Sequence, residues 1–230
     1  MNRYYDELKK FQKKVVRYAE SIFKVYGNEL LLRLEDYNLL KNKKNVIESS
    51  TATGFIIEEF LVSKLETFTK GNRLPGEYEI ARHSSSTTTS SYDCWAELNN
   101  GIKALINVKV QKATNNAIAA IGELYSDYVK TDRQKEKCFL VLKVHYRFDE
   151  SMKDGQRKIF IMKVEAFFLE EVDFSNGHKQ DHRNWSKEFK VTSGRLQVSD
   201  KFRKDNIVAE EEVSYENTVG FIEEMMDEKY

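Results

Sequence analysis

The stretch that decides the fold is residues 92–111, YDCWAELNNGIKALINVKVQ. Asn99-Asn100-Gly101 is a strong hairpin signal, because asparagine and glycine readily take the left-handed backbone that tight turns need. It separates two predicted strands, 92–98 and 102–111. Side chains alternate along a strand, so Ala104, Ile106, Val108 and Val110 face one way. Lys103, Leu105, Asn107, Lys109 and Gln111 face the other. The second strand therefore carries a polar stripe, Asn107-Lys109-Gln111, opposite an apolar face. Folding at the turn brings the start of the first strand to the end of the second. Asp93, 14 residues before Asn107, then stands beside it.

Upstream of the hairpin the apolar period is helical. Tyr4, Leu8, Phe11, Val15, Tyr18, Ile22 and Val25 recur at steps of three and four, predicting an amphipathic helix over 3–25. A shorter helix is expected over 28–40. Ser49, Ser50, Thr51 and Thr53 offer N-cap hydroxyls to a third, TGFIIEEFLVSKLETF, that stops at Gly71. Its inward stripe is Gly54, Ile57, Glu58, Leu61 and Leu65, which aims Glu58 at the core. Residues 77–83 read as a strand and SSSTTTSS (84–91) as a polar loop. Downstream, NNAIAAIGELYSDYVK (115–130) reads as a helix, 138–148 and 158–172 as strands, 173–205 as polar loop, and 214–228 as an acidic amphipathic helix. Helices, strand, hairpin, helix, strand, strand imply an α/β fold, a mixed central β-sheet flanked by helices. One domain spans 1–230, with a helical part at 1–48, a core at 50–172, and loops with a final helix at 173–230.

Composition agrees with one sizeable domain. The 230 residues are 40% hydrophobic, with one proline and no linker-like stretch. No apolar run approaches the roughly 20 residues needed to cross a bilayer, and the N-terminus lacks a secretory pattern, so a cytoplasmic location without membrane contact is expected. Cys94 and Cys138 lack CxxC or Cys/His spacing, which speaks against structural zinc. The 37 basic and 37 acidic residues cancel. Their distribution is uneven, with KKFQKKVVR at 9–17 and KNKK at 41–44 against EEE at 210–212 and EEMMDE at 223–228. Nucleic-acid binding needs a basic face rather than a basic protein, so the balance does not exclude it.

Asp93, the turn, ALINVKVQK and the helix after it resemble the catalytic core of PD-(D/E)xK nucleases, and of type II restriction endonucleases within them. In that superfamily an aspartate near the first strand of a hairpin is followed by an acid-x-Lys triplet on the next. Asn107-Val108-Lys109 departs from this, with asparagine where an acid is usual, although some restriction endonucleases use Asn-x-Lys. Tyr92 stands where proline is common. A Gly-x-x-x-Glu helix before the hairpin also recurs in the superfamily, and here it is Gly54 to Glu58. The resemblance is strongest over 50–147. It implies a restriction-endonuclease-like fold and Mg2+-dependent hydrolysis of double-stranded DNA at a short sequence, leaving 5′-phosphates. It further implies a homodimer, because palindromic sites are read by two-fold symmetry. Asp93, Asn107 and Glu58 would hold the metal, hard magnesium preferring oxygen ligands. Lys109 would help orient and activate the attacking water. Glu59 and Glu97 are weaker candidates for the second acid.

Base recognition is sought in KEFKVTSGRLQVSDKFRK (187–204), where a tight turn presents Ser193, Arg195 and Gln197. Arginine can read guanine and glutamine adenine in the major groove. Gln111 and Lys112 complete the expected DNA contacts. His178 and His182 are spaced i, i+4, but nothing around them completes a zinc site. Two other readings stay open from the residues alone. One is a catalytically inactive nucleic-acid-binding module of the same fold, and the other a non-nuclease interaction protein whose hairpin matches by accident.

Overall fold

A computed structural model describes residues 2–33, 50–71, 74, 76–83, 90–111, 117–148, 156–175, 180–181, 185–186 and 195–227. Helix α1 (Arg3–Val25) is capped by the Asn2 side chain, which accepts from the Tyr4 and Tyr5 amides. It ends in a turn in which Gly27 and Asn28 both take positive φ, 70° and 58°. That turn feeds strand β1 (Glu29–Arg33), not the helix expected over 28–40. Leu30-Leu31-Leu32 has no helical period of its own, and pairing with a neighbouring strand overrides its helix propensity. The remainder of that expected helix lies outside the described residues.

Helix α2 (Ser50–Lys70) leads through β2 (Ile80–Arg82) into the hairpin of β3 (Cys94–Glu97) and β4 (Lys103–Gln111). The hairpin register is the expected one, Cys94 opposite Ile106 and Glu97 opposite Lys103, with Gly101 at φ 77° in the turn. The predicted 115–130 helix divides. Ala117–Ala120 is strand β5, Ile121–Leu124 a single helical turn α3, and Tyr125–Lys130 a π-helix. The strand forms because Arg195–Gln197 (β10) pairs with it, a partner some 75 residues away that no local window reveals. Strands β6 (Lys137–Phe148) and β7 (Gln156–Phe168) follow, then a 3-10 turn at Leu169–Glu171. Two-residue strands β8 (Gln180–Asp181) and β9 (Trp185–Ser186) pair with each other. The described residues of 173–205, expected as polar loop, also hold β10 and helix α4 (Asp200–Asp205), capped by Ser199. Helix α5 (Tyr215–Asp227) closes the described chain.

The main sheet has the order β1-β7-β6-β4-β3-β2. It is mixed, with β4 and β6 parallel and the other neighbours antiparallel. A parallel pair needs a crossover, and residues 112–136 supply it. Alternation along β4 and β6 sorts the core into two layers. Ala104, Ile106, Val108, Leu140 and Leu142 pack with Leu8, Phe11 and Val15 of α1 and with Ile57, Leu61 and Leu65 of α2. Leu105, Phe139 and Val141 pack on the other face with Ile121 and Leu124 of α3, Tyr128, and Ile222 and Met225 of α5. The chain is therefore an α/β protein with helices on both faces of a mixed sheet. No helix among the described residues is long and apolar enough to cross a membrane.

Candidate active site

Strand β3 stops at Cys94, while its partner β4 continues to Gln111. Past that point β4 has backbone amides with no strand to receive them, and buried amides left unpaired are costly. Two carboxylates take their place. Asp93 Oδ2 accepts from the Val108 N–H at 2.6 Å. Glu58 Oε1, reaching across from α2, accepts from the Val110 N–H at 3.3 Å. Asp93 is held by its own backbone, its N–H donating to Ile106 O (2.9 Å) and its carbonyl accepting from the His83 N–H (3.0 Å).

Both acids feel the same cation, Lys109. Burial pushes the Glu58 carboxyl up to about 7, with Asp93 adding to the rise and Lys109 and the Val110 amide opposing it. Burial also raises Asp93, again against Lys109 and the Val108 amide. Asp93 and Glu58 cap neighbouring amides of the strand that carries Lys109. Glu59 pairs with Arg82 and adds to the rise of both acids, and Glu97 is exposed.

Asn107 lies one register step beyond the Cys94–Ile106 pair and is 4% exposed. Its Nδ2 donates to the carbonyl of Ser91. Its Oδ1 is buried with no hydrogen-bond partner among the described residues. Ser91 is itself fastened by Asp127 on the π-helix, whose Oδ2 accepts from the Ser91 N–H (2.7 Å), Ser91 Oγ (2.9 Å) and Ser90 Oγ (3.1 Å). Sequence reading missed Asp127. No local pattern marks it, because its partners lie 36 and 37 residues upstream.

Glu123 of α3 was likewise not foreseen. Burial and Asp127 raise its carboxyl, and both Arg195 and Lys109 pull it back, so it stands electrostatically between the two cations. Of the expected DNA contacts, Arg195 is exposed on β10, Gln197 half-buried, and Gln111 buried at the end of β4. Lys112, Ser193, His178 and His182 lie outside the described residues. The Lys109 row continues across the sheet, with Lys143 beside Lys109 and Glu165 beside Lys143. Lys143 is buried and pairs with Asp200 at 2.9 Å. His145 bonds Glu165 at 2.8 Å.

Strand β4 thus has two carboxylates on its free amides and, on the same strand, a buried amide oxygen without a partner, all of them oxygen donors. Such a set suits a hard divalent cation better than zinc or copper. Among the described residues no three His, Cys, Asp or Glu side chains gather into a metal-holding group. No protein-family model matches the chain, and no curated protein matches it.

Proposed function

We propose that the chain is a Mg2+-dependent, site-specific DNA endonuclease of restriction-endonuclease-like fold. The observation that supports this reading is the pair of carboxylates, Asp93 and Glu58, on the free amides of β4, the strand that also bears Lys109 and the unpartnered Oδ1 of Asn107. The resemblance of the hairpin to PD-(D/E)xK nucleases supplies the reaction. Asp93, Glu58 and Asn107 would hold the ion. When bound, magnesium would polarise the phosphoryl oxygen and lower the pKa of a coordinated water.

The chain's own residues carry the rest. Asp93 and Glu58 accept from successive outward amides of one strand, which fixes both acids to a rigid element. Lys109, on the same strand, supplies positive charge where negative charge builds on the phosphate. Arg195 and Gln197 on β10 would read base edges, and a second copy would supply the other half of a palindromic site. The N-terminal helix contributes a basic face, Lys9 to Arg17, for the phosphate backbone.

Incubating supercoiled plasmid with Mg2+ tests the reading. Discrete, Mg2+-dependent fragments are expected, and Lys109→Ala should bind DNA without cutting it. Retarded but uncut plasmid would favour an inactive DNA-binding module, and no interaction at all would favour an interaction protein.

A further inference from the structure

The asparagine at 107 is the departure that most weakens a nuclease motif, and its surroundings account for it. Its Nδ2 meets the Ser91 carbonyl, an acceptor with no proton to give. An aspartate in that place would set oxygen against oxygen in a buried position, and the reversed amide would do the same. Only the observed amide orientation satisfies Ser91, and it leaves Oδ1 as the free end. The carbonyl is not placed by chance. Ser91 is 1% exposed and held through its N–H and its hydroxyl by one oxygen of Asp127. The π-helix that bears Asp127 is closed by the Thr131 N–H donating to Ser126 O at 3.0 Å.

We infer that Asp127 is a positioning residue for the cation site: through Ser91 it selects an amide at 107 and leaves the amide oxygen free as a neutral third ligand. This rests on the metal site proposed above and deepens it. Outer partners of this kind commonly tune metal ligands through geometry rather than charge.

All three bonds to Asp127 end on Oδ2, so the amide oxygen of an asparagine can replace it, whereas alanine cannot. The full chain, as wild type, Asp127→Asn, Asp127→Ala and Asn107→Asp, is examined in two ways. One is the Asn107 side-chain NH2 signal in metal-free 1H–15N spectra. The other is calorimetric binding of Mn2+ as the probe ion. Wild type and Asp127→Asn are expected to show a protected, shifted Asn107 amide and Mn2+ affinities within about threefold of each other. Asp127→Ala should lose that signal and bind Mn2+ about ten- to a hundredfold more weakly. Asn107→Asp should melt below wild type without metal. An unchanged Asn107 amide in Asp127→Ala, or an Asn107→Asp chain as stable as wild type, overturns the inference. So does wild type that binds no Mn2+. Mn2+ binding with the expected variant pattern but no plasmid cleavage would instead overturn the nuclease reading and leave this one standing.

Discussion

At each end of the central sheet a carboxylate occupies the place of a missing strand, and the two ends differ in everything else. Strand β7 pairs with β6 up to Phe168 opposite Leu140. Just beyond, Glu170 of the 3-10 turn accepts the Phe139 N–H at 2.9 Å and the Tyr128 hydroxyl at 2.5 Å. Tyr4 and Tyr128 close over this end, Lys137 donates to the Tyr128 carbonyl at 2.8 Å, and Tyr215 donates to the same oxygen at 3.2 Å. Burial raises the Glu170 carboxyl to about 8 despite these donors. At the far end of β4, Asp93 and Glu58 also cap free amides, but they remain partly open, share a lysine, and sit beside an orphaned amide oxygen. Capping an edge amide explains why acids stand at both ends. Only the second end retains unused ligand capacity, and that separates a structural carboxylate from a candidate catalytic one.

The largest expected effect tests that separation directly. Glu170→Ala strands the Phe139 N–H and the Tyr128 hydroxyl in a dry site, and should cost about 3–5 kcal/mol in urea unfolding. Asp93→Ala, at the open end, should cost only about 1–2 kcal/mol yet abolish cleavage. Equal stability losses would erase the distinction. Next, Lys109→Ala should slow cleavage by about 10^2- to 10^3-fold while unfolding as wild type does, read by single-turnover assays beside urea curves. Any large stability loss would move Lys109 to the structural side.

The pH response sharpens the contrast further. The folded pKa of Glu170 lies above its unfolded value, so the folded chain holds the proton longer and stability falls as pH rises. The loss runs from about 4.5, the ordinary glutamate value, to about 8, with a slope of at most about 1.4 kcal/mol per pH unit. Glu170→Gln should flatten this part of the stability profile, and an unchanged slope would assign it elsewhere. The smallest effect concerns Gly54. A Cβ added there would meet Val110 Cβ and O at 4.0 Å, an ordinary contact, and the residue lies within α2. Gly54→Ala should therefore stabilise the chain by about 0.5–1 kcal/mol. A loss instead would mean that α2 must approach β4 more closely than this.

What the sequence made legible follows the reach of its local signals. The NNG turn set the β3–β4 register, and with it the neighbourhood of Asp93, Asn107 and Lys109. Helical spacing from Ile57 to Leu65 aimed Glu58 at the same strand. Four features needed partners far along the chain and escaped notice. Leu30-Leu31-Leu32 became a strand only because β7 offers it an edge, and Ala117–Ala120 only because β10 does. The roles of Asp127 and Glu170 depend on contacts spanning 36 and 31 residues, with no periodicity to announce them.

The π-helix joins the two ends through adjacent residues. Asp127 reaches Ser91 and Tyr128 reaches Glu170 from one short segment, Tyr125–Lys130. Trimming a single residue there would convert the wide turn to an ordinary one and swing whatever follows by roughly 100°. Asp127 and Tyr128 could then no longer both meet their partners. Length variation should accordingly be absent from these six positions.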